Sequence, residues 1–114
     1  MRDASTSRTG ARIERRAVRH YRLRGYRILG TNVWAGGYEL DLIARRGRRV
    51  VFCEVKGKTR DGFGDPLEMV HAEKQRRLYR AAESWLARNP ELRDLDLRFE
   101  VVAVRAGALE RIAV

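Results

Sequence analysis

Tyr38-Glu39-Leu40-Asp41-Leu42-Ile43-Ala44-Arg45, then Arg46-Gly47-Arg48, then Arg49-Val50-Val51-Phe52-Cys53-Glu54-Val55-Lys56 is the stretch that decides the fold. Its two arms are rich in Val, Ile, Leu and Phe, and a glycine separates them, so the spacing predicts an antiparallel hairpin. With Gly47-Arg48 as a two-residue loop, Arg46 pairs with Arg49 and every later pair follows from that one. Asp41 is then expected across from Glu54, and Glu39 across from Lys56. Strict alternation would put these four on one face with Ile43 and Phe52. Leu40, Leu42, Val51, Cys53 and Val55 would then point to the other face.

Upstream, residues 1–9 are small, polar and basic and read as a flexible arm. From Gly10 to Arg24 the pattern is helical, with Ile13, Ala17 and Tyr21 four apart, Val18 beside them, Thr9 as N-cap and Gly25 as stop. Tyr26 to Asn32 reads as a first strand, ahead of a bend at Gly36-Gly37. Downstream lies a glycine-bearing loop, 57–65. Asp65-Pro66-Leu67-Glu68 has the look of a helix start, and Val70, Leu78, Ala81, Ala82, Trp85 and Leu86 mark an amphipathic helix that Pro90 ends. Leu97 to Ala106 and Leu109 to Val114 read as two further strands. The order α-β-β-β-α-β-β predicts an α/β domain over residues 10–114, a mixed β-sheet core flanked by helices.

At 114 residues and 44% apolar content, the chain suits a single globular domain. No apolar run approaches a membrane span, and the N-terminus lacks the apolar stretch of a secretory signal. The one cysteine, Cys53, falls within an apolar strand pattern, so a buried reduced thiol and a cytoplasmic location are expected. Net charge is +10 and unevenly spread. Residues 1–30 hold nine arginines against Asp3 and Glu14, residues 31–60 hold seven basic and three acidic residues, and the C-terminal half is nearly balanced. Such asymmetry favours a polyanionic partner, nucleic acid first among them. A general arginine bias with solvated charges is the plainer alternative.

The paired carboxylates and the lysine define a candidate chemistry. Mg2+ or Mn2+ takes hard oxygen ligands, and Asp41, Glu54 and the Val55 carbonyl suit it, with water filling the remaining positions. Such an ion polarises a phosphate oxygen and lowers the pKa of a water, while Lys56 orients that water or stabilises developing charge. Glu14 borders the apolar face of the first helix, where a carboxylate needs a cation or a metal. Glu39 and Lys56 read equally as a cross-strand ion pair on a solvated face. Asp41 and Glu54, as opposed like charges, call for a cation between them.

Other features are less specific. His20 and His71 stand apart from each other and from any cysteine pair. Gly62-Phe63-Gly64 reads as a connection or as a flexible loop over the site. Lys74, Arg76, Arg77 and Arg80 read as a solvated helix face or as a phosphate-binding groove. Trp34 reads as core or an edge contact, with stacking on a base as the alternative.

Taken together, Gly10 through Glu14, Gly25-Tyr26, Gly37 through Ala44, Val51 through Lys56, Phe63-Gly64-Asp65-Pro66 and Lys74 give a resemblance over roughly residues 10 to 105. The chain resembles the YraN-like family of predicted bacterial endonucleases within the PD-(D/E)XK nuclease superfamily, relatives of archaeal Holliday junction resolvases. The resemblance implies a restriction-endonuclease-like core with Asp41 and Glu54 as metal ligands, Lys56 as catalytic lysine and Glu14 as a helix-borne acid. It further implies metal-dependent hydrolysis of DNA phosphodiester bonds, leaving a 5′-phosphate and a 3′-hydroxyl, on branched or otherwise structured DNA. Leu40 stands where the superfamily's nominal pattern has proline. Resolvases that cut two strands symmetrically act as dimers, so a homodimer is compatible with this reading. A non-catalytic nucleic-acid-binding module on the same scaffold is the alternative.

Overall fold

The predicted reversal is present. In the computed structural model, which describes residues 4–56 and 72–114, Arg46 pairs with Arg49 and the register runs on through Ile43 with Phe52 to Leu42 with Cys53. Gly47 takes φ +61° while Arg48 is not left-handed, which suits a type II′ hairpin with glycine first.

The elements are α1 (Ala4–Leu23), β1 (Arg27–Ala35), β2 (Tyr38–Arg46), β3 (Arg49–Lys56), α2 (Ala72–Arg88), a 3-10 turn (Pro90–Leu92), β4 (Asp96–Arg105) and β5 (Ala108–Ala113). They form one five-stranded sheet in the order β1-β2-β3-β4-β5. All neighbours are antiparallel except β3 and β4, which run parallel across the α2 crossover. This is the predicted mixed α/β order. α1 begins at Ala4, inside the segment read as an arm, so Thr9 is an interior helical residue rather than an N-cap. The predicted start of the second helix, the 57–65 loop, Val70 and His71 lie outside the described residues.

α1 ends where Gly25 stops it. Gly25 adopts φ +86°, its N–H bonds the Arg22 carbonyl, and the Tyr26 N–H reaches back to the Tyr21 carbonyl at 3.0 Å. This is the paired closure of a Schellman motif, which satisfies the last carbonyls of the helix. The four-residue spacing then places Ala17 and Tyr21 against the sheet, both with no exposed surface.

Each face of the sheet carries its own core. On the α1 side, Ala17, Tyr21 and Tyr26 pack with Leu42, Ala44, Val51, Cys53 and Val102. On the α2 side, Leu78, Ala81, Ala82, Trp85 and Leu86 cover Ala35, Leu40, Ile43, Val50 and Phe52. The Phe52 ring meets Trp85 edge-on at 5.7 Å and stacks near Phe99 at 5.5 Å, which fixes α2 over the centre of the sheet.

Membership of these cores corrects one expectation. Leu40 packs with Ile43 and Phe52, not with Leu42. The reason lies in the neighbouring strand. β1 continues past the predicted Asn32 to Ala35, and Asn32 itself is left-handed at φ +52°. A short polar side chain tolerates that conformation better than most. Thr31 pairs with Leu42 and Val33 with Leu40, so Asn32 lies beside Asp41 between these pairs. On both strands the inward–outward alternation reverses across this position: Thr31 lines a groove under α1 while Val33 joins the α2-side core. Glu39 is thereby turned to the α1 side of the sheet, away from the face it was expected to share with Lys56.

A polar cluster ties α1 to the far strands. The Cys53 thiol, fully buried, donates to the Tyr21 hydroxyl at 3.2 Å, and that hydroxyl donates to Glu100. Arg111 grips Glu100 with two hydrogen bonds of 2.8 and 3.0 Å and lies over the Tyr21 ring at 4.7 Å. Burial raises the Glu100 pKa, but the Arg111 and Tyr21 hydrogen bonds outweigh it and hold the carboxylate below its ordinary range. Its stabilising contribution is therefore in place above the unfolded carboxylate pKa and is lost as pH falls through the lowered folded value. Arg111→Ala should cost about 1–3 kcal/mol of unfolding free energy near neutral pH. Urea titration reads this directly, and an unchanged midpoint would show that the pair contributes nothing.

Candidate functional site

The hairpin ladder that begins at Arg46 and Arg49 closes at Leu42 and Cys53. Beyond that point β3 continues alongside β4, with Glu54 beside Val101 and Lys56 beside Ala103, while β2 continues alongside β1, with Glu39 beside Trp34. The two strands therefore part, and Asp41 occupies the fork. Its Oδ2 accepts the Val55 N–H at 2.8 Å. A side-chain carboxylate thus takes the backbone donor that a continued ladder would have paired.

The five predicted residues stand around this fork as follows. Asp41 is tied to Val55, and so lies next to Glu54 in the chain of β3 rather than facing it in a regular ladder pair. Cys53 and Val55 pack toward α1, so alternation directs Glu54 and Lys56 to the α2 side. These two form an ion pair, Nζ to Oε1 3.3 Å. Glu39 is across from Trp34, not Lys56. Glu14 projects from α1, half-buried, into the groove beneath that helix. Asp41 is the point of convergence: the Glu39 and Glu14 carboxyls both act on it and both favour its protonated form.

Asp41 is correspondingly perturbed. Burial is the largest influence and raises its pKa, the Val55 N–H opposes this, and Glu39 and Glu14 raise it further, to about 7. Crowding of acids in a partly desolvated fork is an environment that a divalent cation relieves. Among the described residues, no three His, Cys, Asp or Glu side chains are grouped closely enough to hold a metal alone. The donors fit a hard, water-retaining ion held by two carboxylates and a backbone carbonyl, as Asp41, Glu54 and Val55 could supply.

Two further features had no counterpart in the sequence reading. The first is a groove of about 700 Å³ between α1 and β1, with Glu14 in its wall and Arg15, Arg19, Arg22, Thr31 and Asn32 along it. One helical face carries all three arginines, and their spacing of three and four residues is the signal that identifies it. The second is the Glu100–Arg111 cluster, signalled only by a charged residue inside the apolar β4 pattern. Trp34, at 66% exposed, is not a core residue. On α2, Arg76, Arg77 and Arg80 are exposed, and Arg77 pairs with Glu73 at 2.8 Å. No described helix is long and apolar enough to cross a membrane.

A two-cored mixed sheet, parted at an acidic fork beside an arginine-lined groove, is the class of molecule that these features define. The profile described as Uncharacterised protein family UPF0102 matches residues 13–104, which takes in the fork and all of the groove lining except Ala11. The chain belongs to this family. It is 44% identical to a UPF0102 protein of Parvibaculum lavamentivorans over 85% of this chain and 71% of that protein. It is 40% identical to one of Pseudomonas entomophila over 92% of this chain and 85% of that protein.

The raised Asp41 pKa has a consequence for stability. Between its ordinary 3.8 and about 7 the folded protein keeps a proton that the unfolded chain has released. Stability therefore falls as pH rises through that window and stays lower above it. Asp41→Asn keeps an acceptor for the Val55 N–H and removes the titration. Measured in EDTA, the wild-type Tm should drop several degrees more than that of Asp41→Asn between about pH 5 and pH 8, on the order of 2 kcal/mol. Parallel curves would show that the acids around Asp41 impose no such strain.

Proposed function

We propose that the chain is an Mg2+- or Mn2+-dependent endonuclease that hydrolyses DNA phosphodiester bonds. The observation that supports this most is the pinning of Asp41 to the Val55 N–H at the parted strands. It sets one acid, crowded by Glu39 and Glu14, immediately beside the Glu54–Lys56 pair.

In this reading Asp41, Glu54 and the Val55 carbonyl would hold the ion. When bound, it neutralises phosphate charge and makes water a better nucleophile at neutral pH. Lys56 directs the attacking water and stabilises charge on the phosphoryl oxygens. Attack of the water at phosphorus would form one P–O bond and break the bond to the 3′ oxygen, which takes up the proton lost by the water and leaves as a 3′-hydroxyl, with a phosphate left on the 5′ end. Glu14 orients water from the helix side. Arg15, Arg19 and Arg22 neutralise the substrate backbone along the groove, in keeping with the net charge of +10.

A screen of linear, flapped and four-way DNA with each metal tests this. Nicking should require Mg2+ or Mn2+ and fall at least about 100-fold in Lys56→Ala and Glu54→Ala while binding persists. Arg19→Ala and Arg22→Ala should each reduce the slope of log affinity against log salt by about 1. Tight, salt-sensitive binding with no cleavage under any divalent metal would replace the enzyme with a binding module. Absence of binding at moderate salt would remove both.

A further inference from the structure

Two tryptophans occupy opposite situations: Trp85 projects from α2 and is buried against Phe52 of the sheet, and Trp34 is 66% exposed. Trp34 sits directly opposite Glu39 in the β1–β2 ladder. The flanking residues Val33 and Ala35 belong to the α2-side core, as do Tyr38 and Leu40 around Glu39. Alternation therefore puts the indole and the Glu39 carboxylate side by side on the α1 face, with Cβ atoms about 5 Å apart. The same face carries the arginine groove that reaches Thr31 and Asn32. Its backbone is held rather than loose: Arg88 of α2 donates to the Trp34 carbonyl at 3.1 Å, and Ala35 beside it is buried.

Glu39 lies two residues from Asp41 along β2, so the indole beside it stands one strand repeat from the fork. Two residues of strand span about 7 Å, a reach of one to two nucleotides along a strand whose bases are not stacked. An exposed indole at that distance from the fork, on a rigid strand and beside a cationic track, matches the platforms on which single bases stack. A base in a continuous duplex has both faces covered and cannot use it.

We propose that Trp34 is a stacking platform for an unpaired base one or two nucleotides from the phosphodiester held at Asp41. The favoured substrate is then nucleic acid with an unstacked nucleotide beside the cut: a single strand, a flap or a branch point. This rests on the endonuclease reading for the phosphodiester at the fork, but the stacking itself is measurable without turnover.

The test uses the full chain in EDTA with three probes: an oligo-dT strand, a 5′-flapped duplex and a blunt duplex. Oligo-dT should quench wild-type tryptophan emission, and Trp34→Phe should bind it within a few-fold of wild type. By anisotropy of labelled DNA, Trp34→Ala should lose about 5- to 150-fold in affinity for oligo-dT and the flap and little for the blunt duplex. Circular dichroism and Tm of Trp34→Ala should match wild type, because the side chain lies outside both cores. Equal affinities of wild type and Trp34→Ala for all three probes would overturn the proposal, as would an equal loss on all three. So would a Trp34→Ala that only alters the oligomeric state in sedimentation. Quenching by oligo-dT in a protein that cuts nothing with Mn2+ would sink the endonuclease reading and leave the platform standing. A Trp34→Ala that cuts flapped and blunt DNA with the wild-type preference would sink the platform alone.

Discussion

The hydrogen bond from the Val55 N–H to the Asp41 carboxylate is the contact on which the site geometry depends. Two strands of one hairpin separate after Leu42 and Cys53, and a parted pair leaves main-chain groups that must be satisfied by something other than each other. Asp41 meets that demand on one side. β4 and β1 pair along the outer edges of the diverging strands, with the ladder interrupted at the Asn32 kink beside Asp41. An acid used in this way is held rigidly, at the cost of partial desolvation. Its raised pKa is the mark of that cost.

Glu14 and Glu54 gain their positions from the packing of the elements that carry them. Glu14 is carried by a helix whose Ala17 and Tyr21 have no freedom to shift, and Tyr21 is further anchored through Glu100 and Arg111 to β4 and β5. Glu54 and Lys56 ride on β3, which has a core against each face and β4 along its edge. The groups around the fork thus come from α1, β2 and β3, three elements that the α1-side core locks into one unit. Rigid support of this kind is what a centre that must bind a cation and orient a phosphate requires.

Much of this was legible in the sequence, for identifiable reasons. Gly47 between two apolar strand-like runs fixed the turn, and the turn fixed the register through Leu42 and Cys53. Gly25 and the four-residue spacing of Ala17 and Tyr21 located the end and the inward face of α1. The apolar positions Leu78 through Leu86 found the α2 interface. Glu39 escaped because period-two alternation assumes an uninterrupted pleat, and nothing in the β2 sequence announces the left-handed residue across from Asp41. Its cause sits in β1, at Asn32, whose polar character read as the end of a strand rather than as a kink within one. The Tyr21–Cys53–Glu100–Arg111 cluster escaped because it joins residues 79 positions apart, and no local pattern encodes such a meeting.

The reversal at Asn32 also couples the two strands in how they can vary. Straightening it in β1 alone would carry Val33 out of one core while its neighbour Leu40 stayed behind, opening a void on one side and stranding a greasy side chain on the other. Straightening both would carry Trp34 and Glu39 to the far side of the sheet together. The kink therefore ties the two strands together: a change that straightens one alone disrupts the core, while straightening both moves the indole and the acid as a pair.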